Sequence, residues 1–480
     1  MLFNSVEFLI FFVIVTTAFF LLPKKARNYL LLAASYVFYA WWNWKLTFLI
    51  IFTTLVSFGA GLLISRYEKH RKLFLVIAVT VNVGLLLFFK YYNFFARGVA
   101  LFANVISGNK FDFTLDILLP IGISFYSFQA LSYVIDVYKK KTEPEKNFFI
   151  YALFVSFFPQ LVAGPIERPE DLIPQLKKEH VFNDNDVIAG LKLMAIGFFE
   201  KIAVADIVGV AVNKVYENVA LSNGPTALIA TVLFSLQILC DFKGYSDIAK
   251  GVARVYGIKL SDNFDKPYSA RSVREFWRRW HITLSTWFRD YLYIPLGGSH
   301  VAFGRYCINV AVVFAISGLW HGAAVTFLIW GVIHAVYQIV EKLVDKVHKP
   351  ADKPVINVFR KILTFILVTL AWVVFRSNSL QDALTVFTHI FTNWSVDGNI
   401  FVFLSEYFNV SAAGLAAVAV ILAVYFFYGK LLSLCDNAKR PLLGKIGKYA
   451  VFSLMIFLTA ASFIYLKCVD VDSSFIYFQF

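Results

Sequence analysis

What most constrains this chain is a succession of apolar runs long enough to cross a membrane. They cover residues 5–22, 29–44, 46–64, 73–89, 92–106, 117–137, 147–163, 225–241, 306–340, 357–376, 411–434 and 446–466. About 20 apolar residues span the hydrocarbon core as a helix. Lipid offers the backbone no hydrogen-bond partner, so such segments satisfy their own N–H and C=O groups as helices. The expected fold is an all-α polytopic membrane protein of roughly 11 transmembrane helices, with the 306–340 run long enough to break. Charged residues are only 16 % of the chain, against about 25 % in a soluble domain.

The net charge of +14 does not point to nucleic acid, because Lys and Arg cluster between the apolar runs, where they set topology. Lys24, Lys25 and Arg27 follow the first run and place that end in the cytoplasm, with Met1 outside. MLFNSVEF has no basic n-region, so the first run reads as a retained span rather than a cleaved signal peptide. Basic loops at Arg66–Lys72, Lys139–Lys141 and Lys439–Lys448 mark the same side. An even number of crossings must separate the first two, so one of 73–89, 92–106 and 117–137 is expected to be interfacial or re-entrant. The final span, 446–466, then puts the C-terminal tail outside as well. Cys240, Cys307, Cys435 and Cys468 form neither a CxxC nor a Cys/His ligand set, so no disulfide framework or metal site is indicated.

The middle of the chain tolerates polarity. Residues 164–224 carry Pro165, Pro169 and Pro174 and a helix-like run from Val187 to Val219, interrupted by Glu200, Lys201, Asp206 and Lys214. Irregular backbone at membrane depth is tolerated only where it is buried in protein or lines water. A single membrane domain, 1–480, therefore reads as N-terminal helices (1–163), a central catalytic block (164–345), and C-terminal helices with an extracytoplasmic tail (346–480). Asp241, Lys243, Tyr245 and Asp247 read either as salt-bridged neighbours fixing a helix end or as headgroup ligands. Asn263 and Asp265 read as turn or cap residues. The chain shows no internal repeat, which weighs against a transporter or flippase built from duplicated halves.

Within that block, Arg271, Arg274, Arg278, Arg279 and Arg289 crowd into one short segment beside Trp277, Trp280 and Trp287. Each arginine at the centre of a lipid-facing helix costs roughly 2.5–3.5 kcal/mol, so the segment lies at an interface or lines a polar cavity. At about 100° per residue, Trp277, Trp280, His281, Leu284, Trp287, Phe288 and Tyr291 share one arc, with Arg274, Arg278 and Arg289 on its flank. This predicts one amphipathic helix. Its plainest role is an interfacial anchor, with arginines on lipid phosphates.

Further on, His321 sits in the apolar 306–343 region between Trp320 and Gly322, with Ser317, Gly318, Ala323 and Ala324 keeping its surroundings small. An ionisable residue at that depth is a functional candidate; the alternative is a neutral core histidine bonded to a neighbouring helix. His334 lies thirteen residues further on, roughly 20 Å along a straight helix and on another face, which makes it the weaker candidate.

These segments resemble the membrane-bound O-acyltransferase (MBOAT) family, and within it the bacterial branch that O-acetylates alginate and peptidoglycan or carries D-alanine to teichoic acids. The resemblance rests on LPIGISFYSFQALSYVIDVY from Leu119, FFPQLVAGPIERPEDLIPQ from Phe157 and DFKGYSDIAKG from Asp241. FWRRWHITLSTWFRDYLYIPLGG and SGLWHG follow in order. It implies that His321 is the essential histidine and His281 a second polar position of the site. It further implies an acetyl-CoA donor (or a phosphopantetheinyl acyl carrier protein), an extracytoplasmic polysaccharide acceptor in a bacterial cell membrane, and a serine-dependent extracytoplasmic partner that completes the transfer. The fold implied is a funnel surrounded by spanning and re-entrant helices.

An O-acyltransferase must remove a hydroxyl proton as the oxygen attacks a thioester, and an imidazole titrating near neutrality suits that task. His321 is assigned as base, and His281 as an orienting or carbonyl-polarising group. Trp280 and Trp320 are expected to line the donor pocket and exclude water. Arg274, Arg278 and Arg289 are assigned to donor phosphates or to lipid phosphates. The closing FIYFQF resembles a tyrosine-bearing C-terminal motif of this group that serves as an acyl relay, which makes Tyr477 a candidate; an interfacial aromatic anchor is the alternative.

Overall fold

Helices follow the apolar runs in the computed structural model, but several boundaries move. It describes residues 1–162, 164–347, 352–394, 411–437, 441–470 and 475–476; Tyr477 and the start of the basic run at Lys439 lie outside the described residues. The chain opens with α1 (Val6–Leu21), α2 (Lys24–Ala40), α3 (Trp44–Arg66), α4 (Arg71–Ser107) and α5 (Ile123–Tyr138). Short helices follow: α6 (Phe148–Ser156), α7 (Phe158–Leu161) and α8 (Pro169–Leu176). Then come α9 (Asp184–Phe198), α10 (Ile207–Glu217) and α11 (Gly224–Val255). The arginine segment forms α12 (Val273–Arg279) and α13 (Ile282–Phe288). The last group is α14 (Phe303–His321), α15 (Val325–Val347), α16 (Pro354–Arg376), α17 (Leu380–Thr392), α18 (Ala412–Asp436) and α19 (Pro441–Cys468). Eight helices are long and apolar enough to cross a membrane among the described residues.

Four runs are corrected. Residues 73–89 and 92–106 are one helix, α4, of 37 residues; at 1.5 Å per residue this is about 55 Å, well beyond the ~30 Å hydrocarbon core. The 147–163 run is not a single span but the buried pair α6 and α7, interrupted at Phe157 ahead of Pro159. The run read as ending at residue 241 continues to Val255 as α11. Asp241, Lys243, Tyr245 and Asp247 therefore sit inside a helix and do not fix its end.

Helix α11 is the axis of the bundle. Its apolar window is 67 % buried, against 17 % for α4, so protein rather than lipid surrounds it. Glycines let α9 lie directly on it: a Cβ at Gly197 would come 2.6 Å from the Gly244 carbonyl, and one at Gly190 equally close to that of Gly251. Small residues of this kind permit backbone contact between membrane helices. Between α9 and α10, a π-helical stretch, Phe199–Asp206, buries Glu200, Lys201 and Asp206 against α11.

The 306–340 run breaks at Gly322–Ala324, and α15 folds back along α14. A Cβ at Gly318 would lie 2.2 Å from the Phe327 carbonyl, and one at Gly331 2.2 Å from that of Phe314. The two helices thus touch backbone to backbone.

Candidate active site

The predicted amphipathic helix is broken at its centre. Trp280 is extended (φ −106°, ψ 128°) and His281 is left-handed (φ 40°, ψ 57°), so the chain turns sharply between α12 and α13. A non-glycine residue in that region costs about 1–2 kcal/mol, and such strain gathers at functional sites. Asn263 stabilises the break from elsewhere in the chain. Its carbonyl accepts from Ile282 N (2.9 Å) and its Oδ1 from Thr283 Oγ1 (2.6 Å), satisfying donors at the start of α13. The expected cap role of Asn263 is therefore exercised on a helix beginning nineteen residues later in the chain.

The break drives the His281 ring into the core. It packs against Phe242 (ring centroids 4.5 Å apart), Trp320 (5.7 Å) and Phe125 (6.2 Å). Neither ring nitrogen has a hydrogen-bond partner among the described residues, and burial pushes the imidazole pKa down to about 3. His281 is thus a neutral, fully buried ring whose nitrogens have no hydrogen-bond partner among the described residues.

His321 is the last residue of α14 and is 3 % exposed, with Trp320 (5.0 Å), Trp330 (5.1 Å) and Phe375 (5.4 Å) around its ring. A helix leaves its final carbonyls without partners, and α4 supplies them. Lys90 Nζ donates to the carbonyls of Trp320 and His321, and the Tyr91 hydroxyl to that of Leu319. A cation at a helix C-terminus also meets the negative end of its dipole. Sequence reasoning missed Lys90, which fell between two supposed spans; the available signal was a lone lysine within an apolar stretch.

His334 is nearer than a straight helix allows. Because α15 folds back, the Trp330 ring lies 4.9 Å from His334 and 5.1 Å from His321, and Trp277 Nε1 donates to His334 Nδ1 at 3.2 Å. His334 braces the aromatic wall behind the site.

Two cavities meet α14 at different heights. One, of about 430 Å³, is lined by Lys90, Phe125, Trp320 and His321, with Leu2 and Trp42. The other, of about 820 Å³, takes Tyr306, Val310, Phe314 and Ser317 from the same helix and holds Arg274, Arg278 and Arg289. Ser317 and His321 are one turn apart, roughly 6 Å. The larger cavity also holds Lys342 and Lys346, giving five cations against the single carboxylate of Asp345. Arg274 pairs with Asp345 (2.9 Å) and Arg289 with Asp290 (2.7 Å), while Arg278 forms no ion pair among the described residues. A one-signed cleft of this kind focuses field on an anionic ligand.

The structure thus gathers the three arginines in one cavity and places Trp320 and His321 on the wall of the other. Trp280 and His281 line neither; Trp280 is packed between Phe276 (5.3 Å) and Trp372 (5.2 Å). Phe475 and Ile476, just before Tyr477, are buried.

Residues 145–380 match the sequence model of MBOAT, the membrane-bound O-acyltransferase family. The chain is 37 % identical to the probable alginate O-acetylase of Pseudomonas syringae pv. tomato, over 89 % of this chain and 82 % of that protein. It is 35 % identical to the peptidoglycan O-acetyltransferase of Helicobacter pylori, over 74 % and 72 % respectively. It is 30 % identical to the teichoic acid D-alanyltransferase of Streptococcus thermophilus, over 56 % and 71 %. With likeness running through most of both chains and spans on both sides of the histidine site, this multi-pass membrane protein is an acyltransferase that belongs to the membrane-bound O-acyltransferase family.

Proposed function

We propose that the protein moves an acetyl group from a cytoplasmic thioester to a hydroxyl on the opposite side of the membrane, for O-acetylation of an envelope polysaccharide of the alginate or peptidoglycan kind. The observation that carries this is the pair of cavities along α14, one lined by His321 and the other by Ser317, one helical turn before it. The arginine cavity lies at the basic end of the bundle. Arg289 pairs with Asp290, which pairs with Arg168 (3.1 Å), and Lys139 sits over the Tyr291 ring. Positive residues mark the cytoplasmic side. The His321 cavity touches Leu2 and Trp42, at the opposite ends of α1 and α2 from Lys24.

Acetyl-CoA, or a phosphopantetheinyl carrier, presents its phosphates to Arg274, Arg278 and Arg289 and its thioester towards Ser317. The His321 imidazole takes the proton of the attacking hydroxyl as its oxygen bonds to the acyl carbon. Neutral His281 hydrogen-bonds the acyl carbonyl or orients the base. The tetrahedral adduct collapses by breaking the C–S bond, and the imidazolium returns its proton to the leaving thiolate. The attacking hydroxyl is assigned to Tyr477, whose ester passes the acetyl to the serine of an extracytoplasmic partner. Aromatic walls exclude water from the thioester.

Proteoliposomes test the reading as a whole. With acetyl-labelled donor added only on the arginine-cavity side, label should become esterified to an acceptor on the other side while coenzyme A stays behind. Coenzyme A crossing with the label, or esters on the donor side alone, would overturn it. Arg278→Ala should raise donor KM about ten-fold, the loss of one charge-assisted contact, with kcat retained and a shallower salt dependence. Arg274→Ala should do less, because Asp345, 2.9 Å away, already offsets part of its charge. An unchanged donor KM with lowered thermal stability in Arg278→Ala would assign the arginine to anchoring.

A further inference from the structure

The acyl transfer as proposed leaves a buried ion cluster around Lys201 unused. Lys201 Nζ lies 2.7 Å from Asp206 Oδ1 and 2.5 Å from Asp241 Oδ1, and all three residues are buried. Desolvating ions costs several kcal/mol each, and apolar replacements of such clusters are often as stable or more so. Stability alone therefore gives little reason to keep one inside a membrane protein.

What the cluster holds is a backbone group. The Ile476 N–H donates to Asp241 Oδ2 at 2.8 Å, across 235 residues of sequence. Beside it Phe475 is fully buried, with its ring 4.8 Å from Tyr245 and 5.5 Å from Phe242. The other face of Phe242's surroundings is the site, since its ring is 4.5 Å from His281. Tyr245 also takes the N-terminal segment, stacking on Phe3 (5.0 Å) and accepting from Phe3 N (3.2 Å). Residues 241–245 of α11 thus clamp the C-terminal segment, the N-terminal segment and the wall of the histidine site together.

We infer that Asp241, fixed by Lys201, is a positioning residue that seats Phe475 and Ile476 against Phe242, the ring that packs on His281. Asp241 offers two oxygens to two donors, and its Oδ1 is occupied by Lys201. Its Oδ2 holds the Ile476 N–H, and the Phe475 ring packs on Tyr245 and Phe242. The catalytic consequence rests on the Tyr477 relay reading; the seat itself does not.

Two variants test it in the intact protein. Asp241→Asn keeps shape but leaves one carbonyl oxygen for two donors, and it preserves the Lys201–Asp206 pair, so the fold should survive. Ile476→Pro removes the donor and leaves the cluster alone. Hydrogen exchange of the peptide carrying Phe475 should be about ten-fold faster or more in both, with the α14–α15 peptides as protected as in wild type. Transfer to the far side should fall about ten-fold with donor KM within about two-fold, since the donor cavity is untouched. Unchanged exchange overturns the seat. Faster exchange with full transfer overturns its positioning role. Tyr477→Phe should keep the Phe475 peptide protected; if that variant also keeps full transfer, the relay reading fails while exchange in Asp241→Asn still decides the seat.

Discussion

His321→Ala is expected to lower acyl transfer by about 10²–10⁴-fold, the usual contribution of a positioned general base. Donor KM should stay near wild type, because the arginines line the other cavity. Folding should survive, since Lys90 and Tyr91 hold α14 through backbone carbonyls that the substitution leaves in place. His321→Gln sharpens the case: it retains polarity and most of the volume among Trp320, Trp330 and Phe375 but cannot carry a proton at neutral pH. Both variants should fail alike in a steady-state assay at saturating donor, with similar thermal unfolding. Near wild-type turnover in either removes His321 from the chemistry. His281→Ala should also lose activity strongly, though less completely, as a group that orients or polarises rather than accepts the proton.

Tyr477→Phe should abolish delivery to the far side while leaving expression and donor binding intact. The change keeps the ring and deletes one hydroxyl, so an aromatic anchor would scarcely register it. A relay would lose its only nucleophilic atom. Support for the relay comes from the neighbours: Phe475 and Ile476 are buried, and Phe475 touches the same Phe242 that packs on His281. In wild type, mass spectrometry of the C-terminal peptide after a single turnover without partner should show an added acetyl group, absent from Tyr477→Phe. Full far-side transfer by the phenylalanine variant would leave the tyrosine a membrane anchor.

Much of this architecture was legible because lipid imposes a simple rule on sequence. The runs at Trp44–Arg66, Pro354–Arg376 and Pro441–Cys468 became helices within a few residues of expectation. Broken helices were harder, because their causes are distant in sequence. Seven residues from Trp277 to Tyr291 fit one helical arc, and nothing local forbids it. The turn at His281 is held by Asn263, on another segment. Charges at Asp241 and Lys243 looked like a helix end because isolated ions are costly in lipid. Their partners, Lys201 and Glu200, come from the π-helical stretch packed alongside. His334 was set aside on a straight-helix distance that the turn at Gly322 cancels.

The partition formed by Trp280, Trp320 and the two histidines bears on how the reaction is powered. Every charge that travels between bulk phases at −100 mV gains or loses about 2.3 kcal/mol. On the proposed reading the phosphates of the donor stop at the arginines, and the acyl group passes the aromatic wall as the equivalent of an acylium ion. The hydroxyl proton passes the other way, through the base to the leaving thiolate, and would balance that charge. Transfer by this route would be electroneutral: neither membrane potential nor proton gradient would do work on it, and the free energy of the thioester alone would set how far acetylation outside proceeds. A cell with a collapsed gradient but a full donor pool should acetylate at an undiminished rate.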